Sequence, residues 1–552
     1  MARRQLHDIV VFAATAVPAL AAGHGGDHKL DAALRTRAHE GQGMSRVIVE
    51  TTDGSPADNL IRAVAGTPGR RLPLMRGQVA EVPDAALDTL ADNRQIAALS
   101  LDRPVEGTME RTGATTGATW ARAHLGVDGA GIGVALIDSG VTAWHDDLGS
   151  DRVVQFVDLV DFQPLAYDDY GHGTHVAGII AGSGYDSNGA RTGMAPGASL
   201  VVLKVLDGEG NGYISNVIAA LDYAVQNRAR FNIRVINLSV AAGVYASYDT
   251  DPLTLAARRA VEAGIVVVTA AGNFGRNAKG QPQYGGVTSP GNAPWVLTVG
   301  ASTHKGTVSR NDDEVAPFSS RGPSYIDYAA KPDLVAPGVG IESLSDGSSL
   351  LFATHAAARL WGTVNTATQP YLSLSGTSMS APVVAGAVAL MLQANPKLTP
   401  TLVKAILQYT AEHRSGYDDL TQGAGFLNAR GAVQLAKSFA GDPDATAIVK
   451  DPTPWNAHIN WGNHRIGGGV LNPGANAWRA DVMWGASLTT SGDHITWGTI
   501  CGTECDNVIR GSVTSDSPVW GTSCADASCD SVVWSTTAGT DALDIVWDRS
   551  GR

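Results

Sequence analysis

Three short segments of this chain set an aspartate, a histidine and a serine among glycines at the ends of apolar runs. Residues 134–141 read V-A-L-I-D-S-G-V, an apolar strand that ends on Asp138 before Ser-Gly turns the chain. Residues 171–178 read G-H-G-T-H-V-A-G, in which glycines on both sides of His172 let other backbone come close, and His175 follows one turn along a starting helix. Residues 375–382 read S-G-T-S-M-S-A-P and run into the apolar helix 383–394, with Pro382 in the first turn, where its missing N–H costs little. A serine hydroxyl is a poor nucleophile at neutral pH. It needs a base within hydrogen-bond reach, and the base needs a third group to hold its tautomer. Ser378, His172 and Asp138 are the right types for these roles. Each has a blander reading: an aspartate closing a strand, a histidine pair capping a helix or holding metal, a serine as N-cap. The metal reading lacks the acidic partner of an H-E-x-x-H pattern, and Thr377 and Ser380 would cap as well as Ser378.

The elements that must position these residues repeat along residues 113–440. Short apolar runs at 132–137, 200–205, 234–238, 265–270 and 295–299 read as strands buried on both faces. Helical patterns lie between them at 173–182, 215–230 and 252–263. The alternation predicts an α/β fold, a doubly wound, mostly parallel sheet with helices on both faces. Its ligands then sit beyond the carboxyl ends of the strands.

Taken together, the three motifs in the order Asp, His, Ser resemble the subtilisin-like family of serine peptidases (subtilases). Residues 194–196 (M-A-P), 204–206 (K-V-L), 236–239 (I-N-L-S), 270–275 (A-A-G-N-F-G), 318–323 (F-S-S-R-G-P) and 331–338 (K-P-D-L-V-A-P-G) extend the likeness over the whole α/β region. The resemblance implies a secreted serine endopeptidase that works through an acyl-enzyme, acts on polypeptides as a monomer and needs no cofactor for its chemistry. It makes Asp138, His172 and Ser378 the triad. Asn273 becomes a side-chain donor to the oxyanion, with the Ser378 backbone N–H as the second donor. It assigns Ser239, Val240 and Ala241 to an edge that pairs with an extended substrate, and Ala270, Ala271 and Gly272 to the other pocket wall. Ala241 and Ala242 stand where the family often has glycine, and neither wall carries a charge, which suits an apolar or broad primary preference. Segment 345–371 has no obvious family counterpart and is placed at the cleft rim. Calcium is implied at Asp147 (in H-D-D-L), with Asp186 and Asn188 of the loop Y-D-S-N-G as oxygen donors; the alternative is a polar surface turn.

The flanks divide the chain further. Residues 1–22 carry Arg3 and Arg4, an apolar run and a small-x-small site, the pattern of a secretory signal peptide. Nothing else approaches a membrane span, and nothing resembles a C-terminal anchor. After a His/Gly-rich spacer, residues 44–106 read as a small βαβ-like unit with strands at 45–50, 77–82 and 100–105; the resemblance makes it an inhibitory propeptide removed by the enzyme itself. Residues 443–456, with three prolines, read as a linker. Residues 457–552 read as β-repeats: the segment 451–552 holds 8 of the 12 tryptophans, and Trp484, Trp497, Arg510, Trp520, Trp534 and Trp547 recur at intervals of 10 to 14 residues. That tail is a stack of structural β units or a binding module. All four cysteines, Cys501, Cys505, Cys524 and Cys529, lie there. An exported chain favours disulfides, and the C-x3-C and C-x4-C spacings suit zinc poorly. The net charge of -13 gives a nucleic-acid partner no support. The rival to an active enzyme is a peptidase fold serving as scaffold for the repeats.

Overall fold

The computed structural model describes residues 26–72, 76–101, 108–277, 279–441, 455–467, 469–479, 481–486 and 488–497, with short strand pieces at 507–508, 531–533 and 537–538. The signal segment, the four cysteines, nearly all of the linker 443–456 and most of the later tail copies lie outside these residues.

The chain forms two units, divided at Val105 and Glu106. In the first, the strands run in the order Thr67–Leu72, Gly77–Pro83, Met44–Thr51, Ile96–Leu101, each antiparallel to its neighbour. This corrects the βαβ reading, which requires parallel strands. One face of the sheet supplies Val47, Val49, Ala80, Val82 and Leu99 to a core closed by Leu34, Ile61, Leu87 and Leu90. Two elements went unread. The helix Ala32–Glu40 falls in the supposed spacer; Asp31 caps it by accepting the Leu34 N–H, and Gly41 ends it in the left-handed conformation. The strand Thr67–Leu72 (T-P-G-R-R-L) has no buried residue and so no apolar pattern to read. The last strand begins four residues earlier than the expected 100–105.

The second unit is built on a seven-stranded parallel sheet. Its strands are β1 (Gly133–Asp138), β2 (Val153–Asp158), β3 (Ser199–Lys204), β4 (Ile233–Leu238), β5 (Val266–Ala270), β6 (Leu297–Thr303) and β7 (Leu334–Pro337). Their order across the sheet is β2-β3-β1-β4-β5-β6-β7, all parallel, with Glu314–Val315 antiparallel on β6. The chain builds outward from β1 in both directions, so the β1–β4 boundary is a switch point where the carboxyl ends open a crevice. Register places three segments along that edge: Asp138 is level with Lys204, Ile137 with Leu238, and Ala270 with Val299.

The helices α1 (His172–Ala181) and α3 (Pro252–Glu262) fall within one residue of the predicted spans, α2 (Ile214–Gln226) ends four residues before the expected 230, and α4 (Thr377–Ala394) starts six residues before the expected 383. Helix α4 is long and apolar enough to cross a membrane, but it is 89% buried inside this unit and packs on α1, β4, β5 and β6. Burial on all sides is what its unbroken apolar sequence requires.

The tail departs from the repeat reading. Strands His458–Trp461 and His464–Gly467 form a hairpin that Asn507–Val508 extends, and Ser531–Val533 is a strand as the repeat reading expects, but the described residues of the copies 481–485 (D-V-M-W-G) and 493–498 (D-H-I-T-W-G) are turns and loops, with one bridge among the described residues there, Leu488 to His494. Their tryptophans face inward: Trp461 lies 4.1 Å from Trp484, 5.0 Å from Trp497 and 5.7 Å from Trp478 between ring centres. Ile459, Trp461, Ile466, Trp478 and Ile495 belong to the same core as the parallel sheet. Asn460 N–H donates to Gln408 (2.8 Å), and the Thr399 and Thr401 hydroxyls donate to the Trp478 carbonyl. Residues 455–497 are therefore an outer layer of this unit and not a separate repeat domain.

Candidate active site

Strand β1 delivers Asp138 into a fully buried position at the crevice. Just past the end of the neighbouring β3, Val205 N–H donates to the Asp138 carbonyl (2.8 Å). Asp138 Oδ1 accepts the Ser139 N–H (2.7 Å) and lies 2.6 Å from His172 Nδ1. Both side chains are 0% exposed. With Nδ1–H donating to the carboxylate, Nε2 is the nitrogen that carries the lone pair, the tautomer a general base needs.

The G-H-G-T segment is explained by close approach. Gly171 has φ 100°, and a methyl group on Gly173 would collide with the Gly140 carbonyl oxygen. Only glycine lets the start of α1 lie against the turn after Asp138. Asp168, a residue sequence reasoning missed, ties these pieces together. Its Oδ1 accepts the Ser139 hydroxyl (2.8 Å) and Gly171 N–H (2.7 Å), and its Oδ2 accepts Thr174 N–H (2.7 Å) and Oγ1–H (2.6 Å). Burial pushes this carboxyl up, and the Thr174, Gly171 and Ser139 donors oppose it. Lys204 is also buried, its Nζ donating to Ser139 O (2.7 Å), Leu206 O (2.7 Å) and Asp169 Oδ1 (2.6 Å).

Ser378 is the second residue of α4 and 2% exposed. Three contacts fix the helix start against the crevice walls. Ser239 Oγ–H donates to the Ser378 carbonyl (2.9 Å), Gly272 N–H donates to Thr377 Oγ1 (3.1 Å), and Thr377 N–H donates to Asn273 Oδ1 (3.0 Å). The last sets the sense of the Asn273 amide: Oδ1 toward α4, Nδ2 turned away from it. Ser239 and Val240 follow β4, and Ala270 ends β5 with Ala271 and Gly272 after it, all buried; Ala241 is half-buried. Ala242 is already paired, exchanging two backbone hydrogen bonds of 3.0 Å with Ser289.

The insertion 345–371 packs beside the histidine. Leu350 N–H donates to Asp169 O (2.8 Å) and Leu351 N–H to Tyr170 O (3.0 Å). Its far end reaches the loop 185–187, where Thr363 and Val364 N–H groups both donate to the Asp186 carbonyl (2.8 and 3.0 Å). Of the three expected calcium donors, the structure brings Asp147 and Asp186 together with His145, while Asn188 is exposed in a left-handed turn. Burial and the Asp147 charge push the Asp186 carboxyl up to about 6. His175, the second histidine of the motif, is buried with Nε2 3.1 Å from both Ile341 O and Leu372 O. Burial, and then His172, lowers it to about 3.

Residues 129–432 match the family described as the subtilase family, Peptidase_S8. Serine protease AprX of Bacillus subtilis (strain 168) is 37% identical over 361 residues, 64% of this chain and 78% of that protein. The extracellular serine proteinase of a Thermus species (strain Rt41A) is 32% identical over 393 residues, 69% of this chain and 80% of that protein. Among solved structures, fervidolysin from Fervidobacterium pennivorans, a keratinolytic enzyme related to subtilisin, aligns at 25% identity with a TM-score of 0.46, covering 71% of this chain and 61% of its own.

Proposed function

The chain belongs to the subtilase family of serine peptidases, and from that premise we propose that it is made as a secreted, self-processed precursor whose peptide-bond hydrolysis runs through Asp138, His172 and Ser378. The observation that carries the reading is the buried 2.6 Å contact of His172 Nδ1 with Asp138, with Ser378 at the start of the helix packed on the histidine's own helix.

In this mechanism His172 Nε2 takes the Ser378 hydroxyl proton as the oxygen attacks the scissile carbonyl, and then returns it to the leaving amine. Asp138 holds the ring and stabilises the imidazolium. The oxyanion of the tetrahedral intermediate is met by the Ser378 backbone N–H, at the positive end of α4, and by Asn273 Nδ2. Water then repeats the sequence on the acyl-enzyme. The substrate lies extended between 239–241 and 270–272. Because Ala242 is committed to Ser289, strand addition stops at Ala241. The uncharged walls suit an apolar or broad side chain, and the insertion 345–371 forms the rim beside His172.

No cofactor takes part in this chemistry. Calcium, which the family implies, would have to be held by Asp147 and Asp186; a calcium cage needs about six to eight oxygens, and here a histidine nitrogen stands in the cluster while the Asp186 carbonyl already serves two N–H groups. Residues 44–106 act as inhibitory propeptide, the cysteines pair as disulfides, and the mature enzyme is extracellular and monomeric.

The test is a fluorophosphonate probe on purified protein, beside N-terminal sequencing of wild type and Ser378→Ala. Wild type is expected to label and to have lost residues up to the 105–120 region, and Ser378→Ala to do neither. An unlabelled wild type overturns the triad; equal processing of both overturns self-maturation.

A further inference from the structure

The cluster formed by His145, Asp147 and Asp186 takes no part in the proposed peptidase chemistry. Its ligand atoms lie within 4.8 Å of one another, and all three residues are buried. His145 Nε2 is 3.0 Å from the Pro370 carbonyl, so that nitrogen carries the proton. Nδ1 therefore carries the lone pair, which meets the Asp147 backbone N–H and would turn to an ion by giving that bond up. It takes only the Asp147 backbone N–H at 3.1 Å and lies 3.9 Å from Asp186 Oδ2. Metal-binding histidines are held in the same way, one ring nitrogen donating to a carbonyl and the other facing the ion. Asp147 is held likewise: Tyr371 Oη–H donates to Oδ2 (2.8 Å) and Asp186 N–H to Oδ1 (2.8 Å). Asp186 is 2% exposed, and its Oδ1 has no hydrogen-bond partner among the described residues. A buried, unpartnered carboxylate oxygen is costly unless something positive meets it.

We propose that His145, Asp147 and Asp186 bind one divalent transition-metal ion of the zinc or cobalt class, as a structural site that takes the place of the family's calcium. One imidazole and two carboxylates are a donor set for such ions, whereas calcium prefers a cage of oxygens. The insertion 345–371 builds this difference. Pro370 and Tyr371 at its end orient His145 and Asp147, and its Thr363 and Val364 N–H groups occupy the Asp186 carbonyl, one oxygen fewer for a calcium cage. The ion would tie the loop 145–148, the turn Tyr185–Ser187 and the insertion into one rigid corner.

The experiment uses the full chain carrying Ser378→Ala, stripped of metal and titrated with Co(II), Zn(II) or Ca(II), reading bound metal per chain, the cobalt visible spectrum and the thermal midpoint. About one cobalt or zinc per chain, raising the midpoint, is expected, with a spectrum of nitrogen and oxygen ligation and no thiolate band. His145→Ala and Asp186→Asn should each abolish that binding. Tyr371→Phe, which loses only the hydroxyl holding Asp147, should keep the fold and weaken the metal about 10- to 100-fold. Cobalt and zinc uptake unchanged by His145→Ala and Asp186→Asn, a thiolate spectrum, no uptake at all, or calcium binding that persists in His145→Ala and vanishes in Asp186→Asn would each overturn the proposal.

Discussion

Lowering the pH from 7 to 5 should remove about 2 kcal/mol of stability through one side chain, His175. This ring is fully buried, and Nε2 faces two carbonyl oxygens, each 3.1 Å away. Nδ1 is buried with no partner among the described residues. The arrangement suits a neutral ring that donates from Nε2. A second proton would put an N–H where no acceptor stands, beside His172, so burial first and the His172 charge second lower the pKa from 6.5 to about 3. The unfolded chain binds this proton below about 6.5 and the folded chain only below about 3. Between those values the unfolded state holds more protons, and stability falls as the pH falls. For one site the shift integrates to about 2 kcal/mol between pH 7 and pH 5, approaching about 5 kcal/mol below pH 3. The assay is urea unfolding at pH 7, 6 and 5 of the Ser378→Ala protein, which cannot digest itself, beside Ser378→Ala with His175→Gln. Glutamine keeps an N–H for the two carbonyls and does not titrate. The glutamine variant should be the less stable at pH 7, and the gap should close by about 2 kcal/mol at pH 5. His304, also lowered by burial, is common to both proteins and cancels. A gap that stays constant from pH 7 to 5 refutes the reasoning.

Asn273→Ala should lower kcat about 100- to 1000-fold with little change in KM, the loss typical of removing one such donor in a subtilisin; a chromogenic peptide assay that shows the effect in KM instead would contradict the oxyanion role. Gly173→Ala drives a methyl into the Gly140 carbonyl. It should cost about 1–3 kcal/mol in unfolding, as overpacking does, and strip activity by displacing His172. Trp461→Ala empties the centre of the four-tryptophan cluster and should destabilise the peptidase unit by about 3–5 kcal/mol. Unchanged calorimetry of the catalytic transition would mean that residues 455–497 do not share its core.

What was legible in the sequence was what burial writes into it. β1, β3, β4 and β5 are covered on both faces, so their sequences are short, mostly apolar runs, interrupted in β4 by Arg234 and Asn237, and the predicted bounds fall within one residue of those observed. β2 (V-V-Q-F-V-D) is half-buried near the edge of the sheet and carries no such run. β7 (L-V-A-P) is only four residues long, too short for a period to be read. In the tail the recurrence of tryptophan is real, but a tryptophan every dozen residues fits a converging cluster as well as a ladder of strands. Periodicity at that spacing records where large side chains are needed, not the backbone that brings them there. His145 escaped for a different reason: its part in the Asp147–Asp186 cluster depends on Pro370 and Tyr371, more than 200 residues away, and no local pattern encodes that contact.

Asp168 shows why a candidate pair can be picked out in sequence while its geometry cannot. Asp138 and His172 touch each other, but a 2.6 Å contact between two side chains on separate elements must be held from outside. Ser139 follows the aspartate and Gly171 precedes the histidine, and one oxygen of Asp168 accepts from both. Its other oxygen fixes Thr174, one turn into α1. Ser139 closes the circuit by accepting the Gly173 N–H at 2.9 Å. The two halves of the pair are thus registered through a second, buried carboxylate. That carboxylate is tolerated in the interior because four donors and the positive end of α1 converge on it. In sequence it is only an aspartate four residues before the histidine. It lies outside the N-cap position, which Gly171 occupies, so the capping pattern that would have flagged it is absent. Substituting Asp138 or His172 removes one partner of the pair. Substituting Asp168 keeps both residues and should release the angle between them, on which the proposed mechanism depends as much as on the groups.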